Sequence, residues 1–471
     1  DFTWENIEAK LLPYYLGQEI AGAIIDVKQG LSADTLGIVA GMIQAGGLLI
    51  LLTPAITEWQ TLINPENSRF LNTPYQLKDA KSGFTQHLIQ CWQHSPIVWL
   101  EEIESFNKPN NDSITEPPLP PNNQLNLPTD DQKLALTAIH SVAFGHRKRP
   151  LVITADRGRG KSSVLGLAAI DCLLKGKRHI VITASRLDQA KASFDLAFAT
   201  VETLIEKNEP LEILSHKSGL LIFCYQKEIK TVEFMAPDAL ILHPTGADIL
   251  MVDEAAHLPT PVLTEILKRH HRIVFATTLH GYEGSGRGFE LRFKKQLNQQ
   301  TPDWKNLTLT QPIRWSENDP LENAINQSLL LDLNVTKLNE SQLNHLQTNQ
   351  IHYQHITAQQ LLGNPGLLKT LFGLLVQAHY QTSPNDLQQL LNAPNVHIVI
   401  ACTQEHSPTD TPTIILGAVL CVEEGKISPL SGRVHGHLVP QLLTKHYAKN
   451  DFLMLSTLRV MRIAVHPQCL R

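Results

Sequence analysis

Thr154-Ala155-Asp156-Arg157-Gly158-Arg159-Gly160-Lys161-Ser162-Ser163 follows the apolar run Leu151-Val152-Ile153 and opens a helical pattern that reaches about Leu174. A strand, a glycine-rich turn, Lys-Ser and a helix form the arrangement that cradles nucleotide phosphates. Gly158 and Gly160 let the backbone turn tightly with its N–H groups inward. The new helix adds its positive N-terminal end, and Lys161 adds a formal charge. Ser162 offers a hydroxyl to Mg²⁺. One position departs from G-x-x-x-x-G-K-[ST]: Ala155 stands where the first glycine would be.

A second stretch belongs with the first. Asp248-Ile249-Leu250-Met251-Val252 reads as a buried strand and ends in Asp253-Glu254-Ala255-Ala256-His257. Carboxylates at the carboxyl end of a parallel strand lie where such sheets bind ligands. Asp253 is expected to hold Mg²⁺ through water, and Glu254 to orient or deprotonate the attacking water. An acidic helix start would also favour Asp and Glu, but together with the loop the pair predicts hydrolysis of ATP or GTP.

Alternating apolar runs and helical patterns from 132 to 317 predict a mostly parallel, RecA-like sheet covered on both faces. Its strands are read at Leu151–Thr154, His179–Thr183, Leu250–Val252 and Arg272–Thr277, with a hairpin, Leu220–Tyr225 and Thr231–Met235, inserted before the acidic strand. The glycine-rich run Gly281 to Gly288 then reads either as a phosphate- or nucleic-acid-sensing loop or as a surface turn. Its Glu283 excludes the serine-hydrolase pattern G-x-S-x-G.

On either side lie an α/β region, 1–105, and an α+β region, 361–471. A Pro- and Asn-rich linker (106–131) and a polar helical connector (318–360) join them. In the first, a strand at Glu19–Val27, a helix at Ala33–Gln44, a turn at Gly46-Gly47 and a strand at Leu48–Leu52 make one βαβ unit. Residues 1–105 are expected to pack on the ATPase as a partner lobe. The nearly continuous apolar stretch 36–56 is divided by that turn, which argues against a spanning helix. The C-terminal region shows helices at Leu367–His379, Pro384–Leu391 and Leu438–Tyr447, and strands at Val396–Cys402, Thr413–Val422 and Leu458–Val465.

The 471 residues carry a net charge of −5, so nucleic-acid contact must come from local patches rather than a global basic field. Six cysteines without a C-x-x-C pair argue against zinc or a disulfide framework and for a reducing, cytoplasmic setting. The chain starts at Asp1 and stops at Arg471 within an apolar pattern, so it is expected to be a piece of something longer.

The loop Ala155 to Ser162, the strand end Asp253 to His257, Thr277 to Phe289 and Gln311-Pro312-Ile313-Arg314-Trp315 together resemble the helicase-like module of tRNA(Met) cytidine acetyltransferases. His379 to Leu387 and Arg462-Ile463-Ala464-Val465-His466-Pro467 resemble that family's GNAT-type acetyltransferase domain. The resemblance implies that Gln132 contacts the ATP base. It also implies that Gly158, Arg159, Gly160, Lys161, Ser162 and Ser163 hold the phosphates and that Arg314 reaches them. Asp253 and Glu254 would serve Mg²⁺ and water, and Ile463, Ala464 and Val465 would pair by their backbone with acetyl-CoA. The family's pyrophosphate-binding loop falls beyond Arg471, so the acetyltransferase domain is expected to be incomplete in this chain. The activity implied is ATP-dependent formation of N4-acetylcytidine at the wobble position of elongator tRNA(Met), with ATP turnover remodelling the RNA. An RNA-stimulated ATPase whose C-terminal region only binds a partner stays open, as does an acetyltransferase for proteins or small molecules. His466 and Tyr380 are conceivable proton handlers but read first as structural.

Overall fold

The inner strands of the parallel sheet at the centre of the chain are built from mostly apolar, buried runs, because both of its faces are covered. In this computed structural model, residues 4–15, 18–93, 95–100, 128–243, 245–278, 289–333, 338, 351–378, 382–403, 414–428 and 436–469 are described. Most of the expected linker, the glycine-rich run at 281–288, much of the connector and Tyr380 lie outside them.

Two strands precede the central sheet, β1 (Ile20–Asp26) and β2 (Ile43–Leu52), parallel and joined by the helix Ala33–Ala40. The Ser32 hydroxyl caps that helix, accepting from Thr35 N at 3.0 Å. The expected turn at Gly46-Gly47 is corrected. The helix stops at Ala40, and the strand begins at Ile43 and runs through both glycines. The register slips there, pairing Ile20 with Ile43 but Gly22 with Leu48. Gly46 has φ +75°, and a Cβ on Gly47 would lie 2.6 Å from the Ala21 carbonyl. The glycines therefore make a bulge that lets two backbones stay close.

The central sheet holds β3 (Leu151–Ala155), β4 (His179–Thr183), β5 (Leu211–Lys217), β6 (Leu220–Tyr225), β7 (Glu228–Phe234), β8 (Ile249–Val252), β9 (Ile273–Thr278) and β10 (Lys305–Leu309). Their order is β10-β3-β9-β8-β4-β7-β6-β5, parallel as far as β7 and antiparallel beyond it. Strand alternation sorts the side chains. Leu151, Ile153, Ile180, Ile182 and Met251 face a core shared with the helices Asp130–Phe144, Lys161–Leu174 and Lys191–Glu206. Val152, Val181, Leu250, Val252 and Phe275 face a second core with Leu263, Ile266, Phe289 and Phe293. The expected hairpin is present, enlarged by β5. The strand β10, beyond those expected, flanks the loop strand.

The C-terminal sheet is antiparallel, in the order β11 (His352–Ile356), β12 (Val396–Cys402), β13 (Ile415–Gly425) and β14 (Ser456–Val465). Its inner face packs on the helices Pro365–Ala378 and Pro384–Asn392. This core does not end at the C-terminal region. Leu36, Phe84, Leu88 and Ile89 from the N-terminal region, Ala324, Ile325 and Leu329 from the helix Pro320–Leu329, and Leu371, Leu387, Leu391, Ile400 and Ala464 form one buried cluster. The expected packing of the N-terminal region on the ATPase is present through Glu19, Gly41 and Ile43, but its core is shared with the C-terminal region.

A buried amide network fixes that partnership. Gln388 Oε1 accepts from Ala33 N (2.8 Å), and its Nε2 donates to Leu31 O (3.1 Å) and Asn67 Oδ1 (3.2 Å). Asn392 accepts from Phe84 N (2.7 Å) and donates to Asn67 Oδ1 (3.0 Å), while Asn385 and Asp34 bond reciprocally. Gln388, Asn392 and Asn67 are almost wholly buried, so each bond missed leaves a dry polar atom. Gln388→Leu should lower unfolding free energy by about 2–4 kcal/mol in a denaturant titration. A loss below about 1 kcal/mol would mean that the network does not hold the two regions together.

Candidate nucleotide site and acetyl-transfer strand

The fully buried strand β3 delivers the chain to a turn in which Gly158 and Gly160 have φ +74° and +73°, a conformation that glycine adopts without cost. The helix then begins at Lys161 with Gly160 as its cap. At its amino end the first backbone N–H groups lack intrahelical partners, which is the physical basis of anion capture. The acidic strand β8 ends two places away in the sheet, with β9 between them.

Four groups meet at these strand ends. The Lys161 ammonium, nearly buried, lies 3.4 Å from Glu254 Oε1. Thr278 Oγ1, at the end of β9, is within 3.1 and 3.0 Å of both Glu254 oxygens and donates to that carboxylate. Asp253 is fully buried; its Oδ1 accepts from Glu254 N at 3.0 Å and its Oδ2 from the Ser193 hydroxyl at 3.0 Å. The same Ser193 oxygen lies 2.9 Å from the Ser162 carbonyl, so one hydroxyl bridges the loop helix to the acidic strand. Burial and the Glu254 charge raise Asp253 to about 6, against bonds from Ser162 and Ser193 and the charge of Lys161. Glu254 itself sits at φ +42°, an unusual conformation for a non-glycine residue that aims its carboxylate at Lys161 and Thr278.

The other expected residues are placed as follows. Ser162 and Ser163 lie in the first turn of the helix, half-buried beside Lys161. Gln132 is beside the loop, but its amide is engaged: Oε1 accepts from Thr129 N (3.1 Å) as part of a capping box, and Nε2 points to Gly160 O at 3.5 Å. Arg159 lies within the turn, and its side chain already has a partner. Its guanidinium pairs with Glu322 at 2.9 Å, both side chains largely buried, and burial raises the Glu322 carboxyl against the opposing Arg159 charge. Arg314 is likewise turned elsewhere. Its Nε meets Glu19 Oε1 at 2.9 Å and its Nη1 donates to the Gly41 carbonyl at 2.7 Å.

Ile463, Ala464 and Val465 end the strand β14, which pairs with β13 on one side and with no strand among the described residues on the other. Ile463 and Val465 face outward, exposed, while Ala464 enters the core. An edge of this kind offers N–H and C=O groups to an extended ligand. His466 is buried; its backbone N–H donates to Leu416 O, and its Nδ1 accepts from Gln468 N at 3.3 Å, a structural setting. Arg462 is bound to Asp386 and Thr382. The six cysteines are free thiols.

Sequence reasoning missed Ser193, Thr278 as a partner of Glu254, and Trp315 as a support for the loop. Trp315 is packed so that a Cβ on Gly158 would lie 2.9 Å from its ring.

Asp253 titrates above its ordinary value of 3.8, so its contribution to stability is full below about pH 4 and is lost as pH rises through about 6. Without nucleotide or divalent cation, Asp253→Asn should therefore stabilise the fold at pH 7.5 by about 1–3 kcal/mol. The gap should close near pH 4 in paired thermal melts. A variant less stable than the parent at pH 7.5 would contradict this account.

Three family models match the chain in order. They are tRNA(Met) cytidine acetyltransferase TmcA, N-terminal, at residues 2–102, RNA cytidine acetyltransferase NAT10/TcmA, helicase domain, at 152–332, and GNAT acetyltransferase 2, at 370–471. A tRNA(Met) cytidine acetyltransferase of Nitrosococcus halophilus is 36% identical over 476 residues, covering 98% of this chain and 60% of that protein. One of Vibrio cholerae is 33% identical, over 97% of this chain and 58% of that protein. The chain thus spans about 60% of the length of the relatives it matches. Among solved structures, the HK97 bacteriophage large terminase aligns at TM-score 0.33 and 10% identity over 62% of this chain and 63% of that one, too slight a likeness to inform the fold. No helix among the described residues is long and apolar enough to cross a membrane. With its N-terminal, nucleotide and acetyltransferase regions matched in that order, the chain belongs to the tRNA(Met) cytidine acetyltransferase family.

Proposed function

We propose that this chain is the nucleotide-hydrolysing and acetyl-CoA-binding part of an enzyme that makes N4-acetylcytidine at the wobble position of elongator tRNA(Met). ATP, or alternatively GTP, is hydrolysed at Lys161, Ser162, Asp253 and Glu254, and the compartment is the cytoplasm, in keeping with six free thiols. The observation that carries the reading is the convergence of those four residues at the ends of β3 and β8, in a chain that also presents the open edge of β14.

In this reading the Gly158 to Ser163 backbone and Lys161 bind the phosphates. Lys161 leaves Glu254 for the phosphate, which frees that carboxylate to take a proton from the attacking water while Thr278 keeps it oriented. The residues fit Mg²⁺: Ser162 supplies a hydroxyl and Asp253 an oxygen, and a cation that keeps several waters and phosphate oxygens needs few protein ligands. When bound, the ion neutralises charge developing on the transferred phosphoryl group. Gln132 contacts the base and Arg314 reaches the phosphates, where its planar fork suits a spreading negative charge.

At the acetyl site, the N–H and C=O groups of Ile463, Ala464 and Val465 align the pantetheine amides of acetyl-CoA. The cytosine exocyclic amine attacks the thioester carbonyl. The tetrahedral intermediate loses the proton from nitrogen and expels the CoA thiolate, breaking the C–S bond. Splaying the target base out of a stacked loop costs a few kcal/mol, which nucleotide turnover offsets.

Nucleoside mass spectrometry of tRNA(Met) incubated with the full-length protein and acetyl-CoA tests both halves. Acetylcytidine should appear with ATP and disappear with Lys161→Ala, whereas ATP consumption without an acetylated base would leave an RNA-stimulated ATPase. Glu254→Gln should still bind nucleotide while hydrolysis falls by about 10²-fold or more in a phosphate-release assay. An unimpaired rate would remove Glu254 from the chemistry.

A further inference from the structure

The segment Ile313–Trp315 touches three parts of the molecule at once. Ile313 and Arg314 donate their backbone N–H groups to the Gly158 carbonyl at 2.8 and 3.1 Å, so the segment lies across the phosphate turn. The Arg314 side chain then leaves the turn for Glu19 and the Gly41 carbonyl, and the buried Trp315 indole N–H donates to Ile43 O at 2.8 Å. Glu19 precedes β1, Gly41 ends the helix Ala33–Ala40 and Ile43 opens β2. The opposite end of that helix is the one held by Gln388 and Asn385. Eight residues, about 12 Å of helix, thus connect the C-terminal core to Arg314. The Arg159–Glu322 pair makes a second tie, since Glu322 lies on the helix that sends Ala324, Ile325 and Leu329 into the same core.

A carboxylate and a phosphate compete for one guanidinium, because both accept the same pair of N–H donors. The Arg314 side chain is only 14% exposed and Glu19 is 53% exposed, so the carboxylate is the partner more readily displaced. We propose that Glu19 is a positioning residue for the nucleotide site. It holds Arg314 toward the N-terminal region, so that nucleotide gains its arginine only by displacing a contact between that region and the segment Ile313–Trp315. The proposal rests on the reading of Arg314 as a phosphate ligand. Because the displacement is a binding linkage, whatever loosens the N-terminal region from Arg314 strengthens nucleotide binding by the same factor, and nucleotide loosens that contact in return.

Equilibrium titration of a fluorescent ATP analogue with Mg²⁺ into the full-length protein tests it with Glu19→Gln, Arg314→Ala and the double variant. Thermal melts show whether each is folded. Arg314→Ala should weaken binding about tenfold or more. Glu19→Gln should tighten it about threefold to fivefold, and the double variant should match Arg314→Ala. A purely structural role for Glu19 would not tighten binding, nor make the change depend on Arg314. If Arg314→Ala weakens binding and Glu19→Gln leaves it unchanged, or tightens it equally without Arg314, the proposal falls and the phosphate role of Arg314 stands. If Arg314→Ala itself has no effect, both fall.

Discussion

At Gly158 and Gly160 the backbone turns with positive φ and leaves no space for a side chain, because Ile313, Arg314 and Trp315 lie directly over the turn. That crowding fixes the direction of the Lys161 helix and with it the meeting of Lys161, Asp253 and Glu254. A phosphate cradle is only as good as the orientation of its N–H groups, and here the orientation is imposed from outside the turn as well as by its own glycines. The Trp315 ring and the Gly158 carbonyl bonds supply what a larger, ordinary loop would have to find within itself.

The acidic side of the site obeys a different rule. Asp253 is wholly enclosed, and its oxygens are satisfied by Ser193 and a backbone N–H rather than by a permanent positive partner. A buried carboxylate without a full counter-charge is costly to the fold and useful to a site that must receive a cation. Glu254, one residue on, is kept within reach of Lys161 by a backbone conformation that a helix or strand would not give. Stability is given up at the point where chemistry is expected, and nearby strands such as β3 and β8, buried at every position, absorb the loss.

Where the sequence was readable, local physics and tertiary packing agreed. The runs Leu151-Val152-Ile153 and Ile249-Leu250-Met251-Val252 could only be strands covered twice, and the loop between strand and helix carried its glycines and lysine in one window. The strand β14 and the helix Pro384–Asn392 were equally plain. Other parts could not be read locally. The strand Lys305–Leu309 alternates polar and apolar at a sheet edge, and His352–Ile356 shows two histidines and a glutamine. The glycine pair in β2 looked like a turn because turns and bulges need the same backbone freedom. Arg159 and Arg314 sat in motifs that implied phosphate, yet their partners, Glu322 and Glu19, lie far off in the chain, the second 295 residues away. No window contains both members of such a pair. Ser193 is a single hydroxyl in an ordinary helix, and only the neighbouring Ser162 carbonyl and Asp253 give it meaning.

The core that joins the N-terminal and C-terminal regions is interrupted in sequence by the whole nucleotide domain, and Ala33 finds Gln388 across 355 residues. During synthesis Leu36, Phe84 and Leu88 emerge long before Leu387 and Leu391 exist to cover them. At about 5–20 residues per second the wait is roughly 20–70 s. The central sheet, whose own strands are complete by Leu309, has that interval in which to close, so the N-terminal region reaches its final packing only after a region synthesised later. Nascent chains therefore carry an exposed apolar helix face while the whole nucleotide domain is being made, the condition under which holding chaperones and slow codons matter most.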